Sequence, residues 1–208
     1  MKTFVIHYRP LSDRLDNFNK QVNDRVEYQI IDNEVEDDSV FDTTPDTILD
    51  KIQHLQPYST FGGSIPPITK DSEKSVAVKQ LRVWLECAEQ DEPYLVLEDD
   101  VIFDASTFDI VDNLVNHITD WDIIMMGISG NLKAGDDGLY KVEPPMTKGL
   151  SAYLLNPEFA RKMKPDLKNI SMAVDWELNY LTQKHNCRML WLEPAIFGQG
   201  SQGGPFKS

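Results

Sequence analysis

Residues 94–100 read YLVLEDD, an apolar run that stops on three successive acids, Glu98, Asp99 and Asp100. Tyr94 to Leu97 predict a buried strand. Like charges side by side repel, and burying even one carboxylate is costly unless something compensates. The strand therefore has to end where a cation, a basic side chain or water meets the acids. In an open α/β sheet that place lies beyond the carboxyl ends of the strands, where ligands sit.

The flanking sequence supplies such a sheet. TFVIHY (3–8) and VEYQIID (26–32) predict strands, and between them Leu11, Leu15, Phe18 and Val22 step by four, three and four, a helical stripe. Thr44 as N-cap, Pro45 at the first helical position and apolar Ile48, Ile52 and Leu55 predict a second helix. The acidic stretch 33–44 and the Gly- and Pro-bearing stretch 57–71 predict surface loops. Residues 71–90 predict a helix with Ala77, Leu81, Trp84, Leu85 and Ala88 on one side. Further helices are predicted around 105–118, from Asn156 with Pro157 at its first position, and over ISMAVDWELNYLTQK. WDIIMMG (121–127), LYKV, GLSAYLL (149–155) and CRMLWLEP predict strands, and ISGNLKAGDDG a glycine-bearing loop. Strands and helices alternate through the first two thirds, the signature of an α/β layered domain with a mostly parallel central sheet flanked by helices. With no internal repeat and no linker, the expectation is one domain over residues 1–198 and a mobile Gly-rich tail over 199–208.

Bulk properties narrow the function. A chain of 208 residues buries about 70% of its unfolded surface and needs no staples. The net charge of -14 argues against nonspecific nucleic-acid binding and against docking on an anionic membrane. An anionic small ligand would need a mediating cation. Cys87 and Cys187 match no metal spacing and are expected as reduced thiols. The N-terminus lacks a signal-peptide core, and no stretch reaches the roughly 18 apolar residues of a transmembrane segment, so a cytoplasmic location is expected.

Side chains alternate along a strand, so Glu98 and Asp100 are expected on one side and Asp99 on the other. Two carboxylates converging at a sheet edge suit Mn²⁺ or Mg²⁺, which bind through one or two carboxylates plus substrate phosphates. On spacing alone, a charged β-turn between two strands fits equally. A second acid-x-acid triplet, Asp120-Trp121-Asp122, precedes its strand and so belongs to the opposite rim as a polar lead-in. Asp136-Asp137-Gly138 has the composition of a turn.

Several segments, in order, carry a resemblance. PYLVLEDDVIF is similar to the signature segment of glycosyltransferase family 25, the lipopolysaccharide and collagen galactosyltransferase group. FVIHYRPLSDR resembles that family's opening strand, ending on Arg14, and SEKSVAVKQLRVW the helix before the acidic strand. WDIIMMG, GLSAYLLNPEFARKM, AVDWELN and EPAIFGQGSQ resemble the later segments. The chain departs at Lys79-Gln80, where the family commonly has Ser-His, and at His7-Tyr8, where it often has Asn-Leu.

The resemblance implies a GT-A-type fold in which the acidic triplet holds Mn²⁺ against the diphosphate of a UDP-sugar donor. Asp100 would be the direct metal ligand, with Glu98 facing the ribose or a metal-bound water, and Asp99 a further donor contact. Arg9 and Arg14, flanking the end of the first strand, are candidates for phosphate, with surface ion pairs the competing reading. Gln199 and Ser201, in the late Gly-rich stretch, are candidates to close over the donor, with a disordered tail fitting equally. The acceptor would be a glycan or glycoconjugate, and in an inverting enzyme a carboxylate takes its proton. Asp175 matches the family's acidic position for that base, with a plain helix N-terminal acid the competing reading. Glu177 is expected to face solvent and Trp176 to pack in the core. The rival readings are a non-catalytic sugar-nucleotide- or carbohydrate-binding relative, a phosphoacceptor receiver domain and a nucleotidyl transferase. The receiver places its acids after the first strand, and the nucleotidyl transferase needs a Gly-rich triphosphate loop in the first βα connection, which this chain lacks.

Overall fold

A seven-stranded sheet in the order β2-β1-β3-β7-β5-β8-β6 forms the centre of the molecule. The structure, a computed structural model, describes residues 1–22, 26–32, 38–55, 65, 67–104, 106–127, 137–203 and 206. The strands are β1 (Lys2–Ile6), β2 (Tyr28–Ile31), β3 (Tyr94–Glu98), β5 (Ile123–Met125), β6 (Gly138–Lys141), β7 (Ala152–Leu155) and β8 (Met189–Glu193). Strands β1, β2, β3, β5 and β8 point the same way, while β7, between β3 and β5, and the edge strand β6 run against them. A separate two-stranded ribbon pairs β4 (Val101–Ile102) with β9 (Gly198–Gln199).

Alternation along the strands divides the core in two. Phe4, Ile6, Tyr94, Val96, Tyr153 and Leu155 face one side, where they pack with Leu81 and Trp84 of α3 (Asp71–Ala88), Phe159 and Met163 of α5 (Pro157–Met163) and Leu178 and Leu181 of α6 (Val174–Lys184). Val5, Leu95, Leu97, Ala152 and Leu154 face the other, against Phe18 and Val22 of α1 (Ser12–Val22) and Phe108, Val111 and Leu114 of α4 (Thr107–His117). Helices on both faces explain why the central strands carry apolar residues at successive positions.

Local signals place several ends well. Asn156 caps α5 by accepting the Glu158 N–H at 2.9 Å, with Pro157 behind it, a cap of the kind that contributes about 1 kcal/mol. The helix α2 (Pro45–His54) starts where Thr44 and Pro45 put it. Along α3, Ala77, Leu81, Trp84 and Ala88 form the buried stripe, and Leu85, expected beside them, is among the exposed apolar residues. It sits one residue, about 100° of helix turn, past Trp84. The glycine-bearing loop after Gly127 lies outside the described residues except for Asp137 and Gly138.

The supposed tail is different from the expectation. Gln199 is paired with Val101, and Gly200–Gly203 forms a helical turn whose Gly200 N–H donates to Asp100 O at 2.8 Å. The expected boundary at residue 199 thus falls inside a strand.

Candidate active site

Parallel pairing sets Ile6 beside Glu98, so β1 and β3 end together at one rim. Strand β7 runs the other way, which brings the segment before it to this rim, and the Glu98 N–H donates to Ser151 O at 2.8 Å. The helices α3 and α6 precede the rim-directed strands β3 and β8, so both begin where those strands end. These elements enclose a cleft of about 420 Å³ lined by Glu98, Asp175 and Gln199 together with Ser72, Glu73, Val76, Gly149, Leu150, Ala173 and Val174. Three predicted site residues, Glu98, Asp175 and Gln199, therefore meet in one cavity although 101 positions separate the first from the last.

The carboxylates here are poorly compensated. Burial, then the charges of Asp100 and Asp99, push the Glu98 carboxyl up to about 8. Burial also raises Asp175, offset in part by N–H groups at the first turn of α6, its own and that of Trp176. No Lys, Arg or His lines the cleft among the described residues.

Pleat alternation stops at Glu98. Asp99 and Asp100 form a turn between β3 and β4, so the acids are both a strand end and a turn, and the same-side placement of Glu98 and Asp100 does not follow from strand geometry. Asp99 is consumed by the β1–α1 connection: its Oδ2 lies 2.7 Å from His7 Nδ1 and accepts the Tyr8 N–H at 3.2 Å, and its Oδ1 accepts from Arg14 at 3.4 Å. Asp99 thus ties the end of β1 to Arg14. Lys79 Nζ, buried, donates to His7 O at 2.8 Å and to Ser75 Oγ at 2.9 Å, so the Lys79-Gln80 and His7-Tyr8 segments touch each other. Gln80 instead accepts from the Tyr153 hydroxyl at 2.5 Å, and that hydroxyl accepts from Trp84 Nε1 at 2.7 Å.

Asp100 is 2% exposed. Its Oδ2 accepts from Ser201 Oγ at 2.5 Å and lies 3.8 Å from Arg14, while its Oδ1 is buried with no partner among the described residues. That orphaned oxygen, with the weakly compensated Glu98 beside it, fits a hard divalent cation that takes one or two protein carboxylates and completes its shell with water and phosphate. No set of three or more His, Cys, Asp or Glu side chains surrounds a common point among the described residues.

Two other expectations change. Arg9 is held by Asp32 on the surface, at 2.9 Å, so the structure does not bring it to the cleft. Glu177, expected to face solvent, is fully buried in an ion pair with Lys51 of α2 and accepts the Ser171 N–H at 3.1 Å. A basic residue 126 positions away compensates it, a pairing invisible in the local sequence. Trp176 packs against the core. Ser72 and Glu73 also line the cleft, although no local motif marks them. The available signal was topological, since a helix leading into a rim-directed strand starts at that rim.

Cys87 and Cys187 are free and buried, and burial pushes the Cys87 thiol up to about 12. Among the described residues no helix is long and apolar enough to cross a membrane.

No protein-family model and no curated protein matches the chain. Among solved structures it is similar to A197 from STIV, at 18% identity over 95% of this chain and 83% of that one, with a TM-score of 0.44. It is also similar to S. aureus TarS 1-349 in complex with UDP-GlcNAc, at 15% identity over 95% of this chain with a TM-score of 0.45. The chain spans 58% of that TarS chain. The α/β class, with its mostly parallel sheet and flanking helices, stands on the strand order and register given above.

Proposed function

We propose that this chain is a metal-dependent glycosyltransferase of the family 25 type, moving a hexose, galactose or glucose, from a UDP-sugar to a hydroxyl of a glycan acceptor with inversion. The observation that carries it is the meeting of Glu98, Asp175 and Gln199 in one cleft at the carboxyl rim, beside the partly unsatisfied Asp100.

Asp100 and Glu98 would hold Mn²⁺ or Mg²⁺, which when bound supplies Lewis-acid stabilisation of the leaving diphosphate. Arg14, one turn into its helix and already 3.8 Å from Asp100, takes a phosphate oxygen. Asp175 sits across the cleft on another element and accepts the proton of the acceptor hydroxyl, its basicity raised by burial. Gln199 closes on the donor, and the apolar wall of Val76, Leu150 and Val174 excludes water from the sugar.

A panel of sugar nucleotides with Mn²⁺ or EDTA, followed by thermal shift and nucleotide release, tests this. A UDP-hexose with Mn²⁺ is expected to raise the melting temperature and to release UDP. Asp100→Ala is expected to cut release about a thousandfold, ~4 kcal/mol of barrier. Asp175→Asn keeps donor binding and lowers transfer about 100- to 10,000-fold. An Asp100→Ala protein that binds and turns over the donor like the parent sinks the metal assignment. The sealed state of Asp100 favours one competing reading, a sugar-nucleotide-binding relative without turnover, which binding without transfer or slow hydrolysis would select.

A further inference from the structure

We infer that the turn Gly200–Gly203, together with Phe206, is an autoinhibitory strap whose Ser201 hydroxyl competes with a divalent cation for Asp100. The inference rests on the reading of Asp100 as a cation ligand and adds a regulation of that site.

The strap is built on the acidic turn itself. Ribbon β4–β9 pairs Val101 with Gln199 and Ile102 with Gly198, immediately after Asp100. The Gly200 N–H donates to Asp100 O at 2.8 Å, and the Ser201 hydroxyl to Asp100 Oδ2 at 2.5 Å. The Phe206 N–H returns to Gly200 O at 3.2 Å, and the Phe206 ring lies 5.8 Å from the Arg14 guanidinium carbon. One short segment thus engages both Asp100 and Arg14.

A carboxylate that binds a hard cation must turn lone pairs to the ion. In this arrangement Oδ2 is committed to Ser201, and Oδ1 is buried with no donor to accept from among the described residues. The closed form therefore satisfies half of the carboxylate and leaves the other half uncompensated. A cation would supply the missing partner, but a cation held by both carboxylate oxygens has to share Oδ2 with the Ser201 hydroxyl. The two occupants compete, so each weakens the other by the same factor.

Gly200 gives a steric lever independent of Ser201. A Cβ there would meet the Phe206 ring at 2.7 Å and Asp100 O at 3.0 Å, so Gly200→Ala pries the strap from the turn. The test titrates the full-length parent, Ser201→Ala and Gly200→Ala with Mn²⁺ by electron paramagnetic resonance, and follows amide hydrogen exchange at Gly200 with and without Mn²⁺. Both variants are expected to bind Mn²⁺ about tenfold more tightly than the parent, a gain of about 1.4 kcal/mol. In the parent, Mn²⁺ is expected to speed exchange at Gly200. Equal Mn²⁺ affinity in all three proteins, or slower exchange at Gly200 with Mn²⁺, overturns the strap while leaving the metal site intact. Absence of Mn²⁺ binding in all three overturns both.

Discussion

The two acid-x-acid triplets, Glu98-Asp99-Asp100 and Asp120-Trp121-Asp122, have opposite fates. Asp120 and Asp122 lie at the amino rim, where Arg188 answers them: Asp122 accepts from the Arg188 backbone N–H at 2.8 Å, from Nε at 3.2 Å and from a terminal guanidinium nitrogen at 2.6 Å. Burial would raise the Asp122 carboxyl, but these bonds and the Arg188 charge outweigh it and hold it below the usual range. Glu98 and Asp100, at the carboxyl rim, have Arg14 at a distance and a serine hydroxyl. Both triplets are next to buried strands, so burial alone does not separate them. The number of donors aimed at the carboxylates does. A satisfied buried acid is part of the scaffold, whereas an unsatisfied one waits for a ligand.

The contrast can be broken most forcefully at Asp122. Asp122→Ala leaves Arg188 and the start of β8 without their acceptor and is expected to cost about 3 kcal/mol in urea unfolding. Donor-induced thermal shift should persist in that variant, whereas Asp100→Ala should lose the shift and keep most of the stability. If Asp122→Ala instead spares stability and removes donor binding, the roles of the two rims are reversed.

The next effect is a difference in the sign of pH dependence. Asp122 has a lowered folded pKa, so its contribution is present above its unfolded value of about 3.9 and is lost as pH falls through the folded value. Glu98 is raised to about 8, so its contribution is present below the unfolded value and is lost as pH rises toward 8. In EDTA, urea midpoints of the parent should fall between pH 5 and pH 8, and Glu98→Gln should flatten that slope. A slope unchanged in Glu98→Gln would remove Glu98 as its source.

The smallest expected effect is at Asp120, whose side chain is 81% exposed although it pairs with Arg188. Asp120→Ala should change stability by no more than about 0.5 kcal/mol, because an exposed partner is already well solvated. A cost near that of Asp122→Ala would show that the pair acts as one unit.

Much of the frame was legible in residues 1–22 and 71–102. Apolar runs of period two and stripes of period 3.6 report burial directly, so β1, α1, α3 and β3 stand close to their predicted places. The insertion of β7 against its neighbours was not legible, because a strand's direction depends on which edge its connection reaches. The cleft was half legible. Glu98, Asp175 and Gln199 were picked out individually, but Glu73 and Ser72 carry no local mark beyond a helix start.

By itself the sequence determined which residues are apolar, where strands and helices begin, and that three acids arrive at the end of a buried strand. Only the tertiary structure decided what each acid meets. Asp99 found His7 and Arg14, Glu177 found Lys51, and Asp100 found Ser201. Local periodicity is set by the backbone's own repeat, while charge compensation is set by distance in space. The partners in those pairs come from 85 to 126 positions away, beyond the reach of any short-range pattern.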